Sequence, residues 1–222
     1  MDERFIENFK NGFPFLKVVS AATPQRGITI LSEEQQQSAI AEYEAFKGKY
    51  VKFVPASGAA SRMFKDLFEA KDILSNGGEL PQDSKVAKFI AQIADYPFYN
   101  EEMSGLSPLE ILEYVIADRG YDYGNRPKGQ ILFHKYEEEI RTAFEEHLVE
   151  GALYAKSEDG SVNIHFTVSP THQAGFEKIL QETVGKYEQR YGVKYNISFS
   201  VQDPATDIIA VNEDNTPFLL AD

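Results

Sequence analysis

Hydrophobic and polar positions follow two different periods along the chain, and their order predicts an α/β fold. Apolar residues recur at every second position over 162–168 and 195–201, which is the period of a strand. The β-branched and aromatic run 50–54 predicts a third, buried strand. Helical spacing lies between these runs, most clearly over 176–187. Strands that alternate with helices predict parallel pairing through crossover connections.

Capping signals and turn residues predict further elements around these strands. Ser32-Glu33-Glu34-Gln35 predicts the start of a helix that stops near Gly48, and Ser107-Pro108-Leu109-Glu110 predicts a helix that ends at Ala117. The stretch 66–118 is mostly helical in its pattern. We interpret it as a helical insertion in a single α/β domain that spans 1–222.

Two more elements are predicted from apolar spacing alone. A long helix is expected from about Glu137 to Ala155, with Ile140, Phe144 and Leu148 on one face. A short strand is expected over 207–211.

Composition excludes several classes of protein. The 222 residues include 22 basic and 35 acidic side chains, a net charge of −13, which opposes binding to nucleic acid and to anionic membranes. The absence of cysteine excludes disulfides, thiolate zinc sites and cysteine nucleophiles. No run approaches 18 apolar residues, and the first residues do not resemble a signal peptide. A cytoplasmic protein is therefore expected.

The stretch that connects the first strand to the next helical pattern is the first candidate site. It contains only small residues: Ala56, Ser57, Gly58, Ala59, Ala60 and Ser61. Backbone N–H groups that converge at the positive end of a helix bind anions, and small side chains let a phosphate approach them. Arg62, where the helical pattern begins, would add a planar, positively charged guanidinium group that can bind phosphate oxygens. A tight turn with a surface arginine explains the same residues, and both interpretations stay open.

The second candidate is Pro127-Lys128-Gly129, which follows Arg126 in a loop rich in turn residues. A lysine between proline and glycine has a constrained backbone and could meet a phosphate together with a neighbouring arginine. The alternative interpretation is a charged surface turn.

These stretches resemble motifs of the sugar-phosphate nucleotidyltransferases. Their opening loop reads Ala-Gly-Gly-x-Gly-Thr-Arg-Met/Leu, and Ala56 to Met63 fits that frame, although Ser57 and Ala60 replace glycines. An alanine that had to adopt a positive φ would cost roughly 1 kcal/mol or more. Pro127-Lys128-Gly129 resembles the Pro-Lys-Gly motif of the UDP-sugar pyrophosphorylase branch of these enzymes.

Two later stretches also resemble motifs of that branch, and all four stretches occur in the same order as in those enzymes. Phe166 to His172, with Ser169 and Thr171, is similar to its strand that ends in a Thr-Ser pair. The stretch that ends at Gln202 is similar to its strand ending in Phe-x-Gln. The whole chain further resembles a bacterial domain-of-unknown-function family, number 4301.

The resemblance implies a Rossmann-like, open and mostly parallel sheet flanked by helices, of the nucleotide-diphosphosugar transferase (GT-A) type. It implies that a sugar 1-phosphate attacks a nucleoside triphosphate, with UTP favoured, and releases pyrophosphate. The amides of 56–61 would cradle the triphosphate, while Arg62 and Lys128 would stabilise charge. Gln202 would contact the nucleotide and Ser169 and Thr171 the second substrate, and Mg²⁺ would be shared with the phosphates. The alternative is a degenerate domain of the same fold that binds a nucleotide or phosphosugar without turnover.

The chain also departs from that family. The insertion separates the small-residue loop from Pro-Lys-Gly, and the family's Gly-Gly motif and magnesium-binding Asp are absent, as in a fragment of a longer protein. Asp203, Asp207 and Asp214 are candidate metal ligands, although acidic loop residues are more often only solvated. The four histidines lack zinc-binding spacing, and no Asp-x-Asp motif supports a glycosyltransferase. The sequence does not indicate the oligomeric state.

Overall fold

The elements of the chain alternate as the periodicity predicts, over the described residues 3–203, 205 and 209–218 of a computed structural model. The helices are α1 (Glu3–Asn11), α2 (Glu33–Ala45), α3 (Lys65–Ser75), α4 (Lys85–Ala91), α5 (Pro108–Ile116), α6 (Ala143–Tyr154) and α7 (Gln173–Tyr191). The strands are β1 (Val51–Pro55), β2 (Leu132–Lys135), β3 (Ile140–Thr142), β4 (Ser161–Val168), β5 (Lys194–Val201), β6 (Ala210–Val211) and β7 (Pro217–Phe218). None of these helices is long and apolar enough to cross a membrane.

The main sheet has three strands in the order β1-β4-β5, and all of them are parallel. Phe166 of β4 lies between Val54 of β1 and Phe199 of β5. Alternate residues of β4 are buried, as its two-residue period predicts. Parallel pairing places the carboxyl ends of the three strands at one edge of the sheet. The α/β class and the parallel sheet flanked by helices are thereby confirmed.

Two hydrophobic cores lie on either side of the first candidate loop. One core packs the sheet against α6 and α7, and its fully buried side chains include Phe144, Phe166 and Phe176. The other contains apolar residues of α3, α4 and α5 together with Phe98 and Tyr123.

By its internal contacts the chain divides into two compact units. One unit comprises residues 47–202 and contains both cores and the main sheet. The other comprises residues 1–46 and 203–222 and includes α1, α2 and the antiparallel pair β6–β7. The single domain with a helical insertion stays a prediction.

The expected helix from Glu137 was wrong at its beginning. Residues Ile140–Thr142 form β3, which pairs antiparallel with β2, and α6 begins only at Ala143. The cause is a capping box, in which Thr142 Oγ1 accepts from the N–H of Glu145 and Glu145 accepts from the N–H of Thr142. Similarly, α3 begins at Lys65 rather than at Arg62, because residues 61–64 form turns.

Candidate functional site

The two candidate loops, far apart in sequence, contact each other in the structure. The N–H of Lys128 donates to the carbonyl of Gly58 at 3.1 Å, and the N–H of Ala60 donates to that of Arg126 at 3.4 Å. These bonds form a short antiparallel bridge between Ala59 and Pro127. The small-residue loop and Pro-Lys-Gly therefore form one surface at the carboxyl edge of β1.

The small-residue loop leaves several backbone donors free. The N–H groups of Ser57, Gly58 and Ala59 have no acceptor within the described ranges. None of residues 56–61, all of which are described, has a positive φ. The expected strain at Ala60 is therefore absent, and this residue is fully buried against the helical core instead. A phosphate can approach the exposed amides of Gly58 and Ala59 without a left-handed turn.

Lys128 lies at a cavity of about 270 Å³ beside these amides. The cavity is lined by both loops, by β1 and β4, and by the first turns of α6 and α7. Lys128 is exposed and forms no salt bridge in the described part of the chain. An unpaired lysine in a protein of net charge −13 gives this cavity a local positive charge.

The glycine after Lys128 is required by packing. A Cβ on Gly129 would lie 2.6 Å from Cε1 of Phe176, which is fully buried. Phe176 also lines the cavity, so Gly129 lets the Lys128 loop pack directly on the first turns of α7.

The loop after β4 is tied to the Lys128 loop through His172. Its Nε2 lies 3.0 Å from the carbonyl oxygen of Asn125, and its Nδ1 lies 2.6 Å from Oγ of Ser169. A carbonyl only accepts, so Nε2 carries a proton and donates it to Asn125. The buried Gln130 adds a bond to the carbonyl of His172 at 3.1 Å. Both ring nitrogens of His172 are thus used to position the loop.

Thr171 and Gln202, which follow the carboxyl ends of β4 and β5, lie at the same edge of the sheet and do not line the cavity. Thr171 is exposed, and its Oγ1 lies 3.3 Å from Oγ of Ser169. The half-buried Gln202 donates its N–H to the carbonyl of Val168 at 2.9 Å. Arg62 is exposed in the turn before α3. The structure thus brings Lys128 to the cavity, whereas Arg62 is not among the residues that line it.

A histidine that the sequence reasoning missed also lines the cavity. His147 lies one turn after Ala143 on α6, and its Nδ1 lies 3.2 Å from Oε2 of Glu150. The same carboxylate oxygen accepts from Lys52 of β1 and, at 3.1 Å, from the hydroxyl of Tyr154. A lysine within the apolar run of β1 and the His-x-x-Glu spacing on α6 are the signals that could have identified this cluster.

Burial and charge determine the protonation of the cluster. Burial lowers the pKa of His147, and the charge of Lys52 lowers it further, against the opposing effect of Glu150. Burial acts to raise the pKa of Glu150, but the hydrogen bond and charge of Lys52 outweigh it and lower the pKa. At neutral pH His147 is therefore neutral and Glu150 ionised.

The two candidate metal ligands in the described part of the chain, Asp203 and Asp214, do not form a site. Asp203 accepts from the N–H of Ala205, and Asp214 accepts from the N–H and hydroxyl of Thr216. Asp207 lies outside the described residues. No group of three acidic or histidine side chains in the described ranges is arranged to hold a metal ion.

A second cleft, of about 380 Å³, lies between α3 and α4. Its lining is mostly apolar and includes Phe64, Phe89 and Phe98, with Lys85 and Asp66 as its charged residues. Opposite charges in a mostly apolar lining do not favour a polyanion such as a triphosphate.

Comparison with known proteins identifies a family without assigning an activity. No curated protein and no solved structure matches the chain. The model of a domain of unknown function, DUF4301, matches residues 2–222, almost the whole sequence. The chain therefore belongs to the DUF4301 family, whose description names no function.

Proposed function

We propose that this protein is a nucleotidyltransferase that forms a nucleotide sugar from a nucleoside triphosphate, with UTP favoured, and a sugar 1-phosphate. One observation carries the proposal: two loops remote in sequence meet at one cavity, where they present free backbone N–H groups beside the unpaired Lys128. In this proposal the parallel sheet is the core of a GT-A type fold.

The chemistry of the reaction matches these groups. Transfer of a nucleotidyl group requires that anionic substrates be positioned and their charge neutralised, with little covalent help from the protein. Oriented N–H donors and a lysine supply positioning and charge. A protein of net charge −13 would otherwise repel a triphosphate.

The position of the cavity at the sheet also supports the proposal. Ligands of open α/β sheets bind beyond the carboxyl ends of the strands. The loop after β1, the Ser169 loop after β4 and Gln202 after β5 all lie at that edge. In the proposed complex the loop after β1 binds the triphosphate, and the loops after β4 and β5 contact the rest of the substrates.

Magnesium is not assigned a role in this mechanism. The described residues offer no group of three or more acidic or histidine side chains for it, so in this proposal any Mg²⁺ is carried mainly by the phosphates of the substrate. The need for the ion is tested by including and omitting it in the assay.

The test begins with thermal shift. UTP, ATP, CTP, GTP and dTTP are added singly, with and without Mg²⁺, and ligands that raise Tm are then combined with sugar 1-phosphates. A ligand at about 100 times its Kd should stabilise the protein by roughly 2.7 kcal/mol. Release of pyrophosphate that requires both substrates is the expected result. A Tm rise without any turnover would instead support the degenerate binding domain.

Matched variants locate the activity. Lys128→Ala should lower pyrophosphate release at least tenfold, because it removes the unpaired charge of the cavity. Lys156→Ala makes the same change of charge at an exposed site that does not line the cavity, and it should retain full activity. Equal activity of the two variants would contradict the proposal. Arg62→Ala tests whether the arginine that follows the small-residue loop also contributes.

A further inference from the structure

The ring of His147 has a defined proton position. An ionised carboxylate only accepts, so Nδ1 of His147 carries a proton and donates it to Glu150 at 3.2 Å. In the neutral ring Nε2 then has a lone pair and no proton. Nε2 has no hydrogen-bond partner in the described part of the chain, and the residue lines the cavity that also contains Lys128 and Gly58.

The charged groups around His147 maintain this state. From β1, Lys52 bonds Glu150 and lies 3.5 Å from the carbonyl oxygen of His147. From α6, Glu150 and Tyr154 share the same hydrogen-bond cluster, while Glu146 is engaged by Arg141 at 3.3 Å. Lys128 lines the same cavity. The cavity thus combines donors from one side with an acceptor, Nε2, from α6.

We infer that the α6 side of this cavity is the phosphate-monoester subsite, in which Nε2 of His147 accepts a hydrogen bond from a protonated phosphate oxygen while Lys128 donates to an ionised one. An acceptor beside the donors selects the singly protonated monoanion of a phosphate monoester, whose second pKa is about 6, over an oxyanion such as sulfate that carries no proton. This inference rests on the proposed function and assigns its sugar 1-phosphate to this cavity.

The acceptor also has a role in the transfer step. An oxygen of the bound monoanion of the sugar 1-phosphate attacks the α-phosphorus of the nucleoside triphosphate and forms a new P–O bond. The bond from that phosphorus to pyrophosphate breaks, and its electron pair leaves with the pyrophosphate. The proton of the monoester passes to Nε2 of His147. Glu150 and Lys52 act as positioning residues, because they fix which ring nitrogen receives the proton.

Two inorganic anions of similar shape test the inference. At pH 7.5 inorganic phosphate still carries a proton, which a monoester has largely lost, whereas sulfate carries none. Isothermal titration of the full chain at pH 7.5 should show sulfate binding about tenfold or more weaker than phosphate, because sulfate leaves Nε2 without a donor. Lowering the pH protonates His147 and makes Nε2 a donor, so sulfate affinity should rise up to tenfold per pH unit.

Two variants distinguish this role from a structural one. His147→Phe keeps a ring against Phe166 but removes the acceptor, so phosphate and sulfate should bind equally, with no pH dependence for sulfate. Glu150→Gln leaves the backbone of α6 and the His147 ring in place, but it no longer fixes which ring nitrogen carries the proton. It should therefore also abolish the difference in affinity between phosphate and sulfate. Lys128→Ala should weaken both anions alike. This last variant shows that the measured binding occurs in the cavity.

The outcomes separate this inference from the proposed function. Equal affinity of the wild-type protein for phosphate and sulfate, or no binding of either, would overturn the inference even if pyrophosphate release were found. Discrimination that is lost in His147→Phe and Glu150→Gln would support the inference even if no nucleotidyl transfer were detected. Anion binding and turnover are measured independently of each other.

Discussion

Two glycines at the site show how differently single residues contribute to it. A Cβ on Gly129 would lie 2.6 Å from the buried ring of Phe176, whereas a Cβ on Gly58 would have nothing within 4 Å. Gly129 is thus needed for packing. Gly58 has no structural requirement for a missing side chain, and this fits a position that a ligand approaches.

Gly129→Ala should destabilise the protein by about 1–3 kcal/mol, because Phe176 has to move within a filled core. Chemical denaturation measures the change in the free energy of unfolding. An unchanged denaturation midpoint would contradict the close packing of the Phe176 ring against Gly129.

Gly58→Val should leave the free energy of unfolding within about 0.5 kcal/mol of wild type, because the new side chain projects into open space. It should nevertheless weaken pyrophosphate binding at least tenfold, since the valine occupies the space beside the loop amides. Titration calorimetry with pyrophosphate checks this. Undiminished pyrophosphate binding would show that this loop is not part of the binding site.

The sequence indicates some of these residues and not others. Small residues at 56–61 and the Pro127-Lys128-Gly129 turn are visible as motifs, but their contact depends on the fold of the helical residues between them. His147 was not predicted, because its role depends on Lys52 of another element. The packing reason for Gly129 depends on Phe176 in the same way.

Among the elements, α6 connects the cavity to the rest of the fold. Its N-cap residue, Thr142, is buried and accepts from the N–H of Glu145 at 3.2 Å, while Glu145 accepts from Thr142 and from the hydroxyl of Tyr187 on α7. The next two residues, Ala143 and Phe144, line the cavity. The cap therefore fixes both the start of α6 and the wall of the site.

Thr142→Ala should cost about 1–2 kcal/mol of unfolding free energy, because it leaves the N–H of Glu145 without its acceptor. Thr142→Ser retains the hydroxyl and should lie much closer to wild type. Urea denaturation of the two variants provides the comparison, and similar losses in both would argue against the cap.

Elements with a clear period were predicted well, and those formed by long-range pairing were not. The strands β4 and β5 and the capping boxes at Ser32 and Ser107 appear as expected. The β2–β3 hairpin was missed because Ile140 also suits the helical spacing of α6. Its strand conformation depends on pairing with Lys135.

At the scale of the whole molecule, the excess of acidic residues is partly organised into ion pairs between elements. Glu139, just before β3, is bonded by Arg141 and by Lys186 and Arg190 of α7. Burial acts to raise the pKa of Glu139, but the hydrogen bonds from Lys186, Arg141 and Arg190 outweigh it and lower the pKa to about 2. This carboxylate links the hairpin to the helical layer.

The stability of the protein should therefore fall in acid. A lowered pKa in the folded state stabilises the protein fully above the ordinary carboxyl pKa of about 4.5, and this contribution disappears as the pH falls towards 2. Because Lys186 and Arg190 are partly exposed, the contribution is about 1–2 kcal/mol.

Denaturation at several pH values tests this contribution with Glu139→Gln. The variant should be less stable than wild type at pH 7, and the difference should narrow below pH 4.5. Glu137→Gln makes the same change of charge at an exposed position and should show no such trend. A constant difference across the pH range would exclude Glu139 as the source.

The central claim is that the loop after β1 and the Lys128 loop form one phosphate site, and amide NMR tests it most directly. Pyrophosphate is titrated into ¹⁵N-labelled protein while the backbone N–H signals are followed. We expect the largest shifts at the amides of Ser57, Gly58, Ala59 and Lys128, and their loss in Lys128→Ala. No shift at these amides, or the largest shifts at Phe89 and other residues of the apolar cleft, would contradict it.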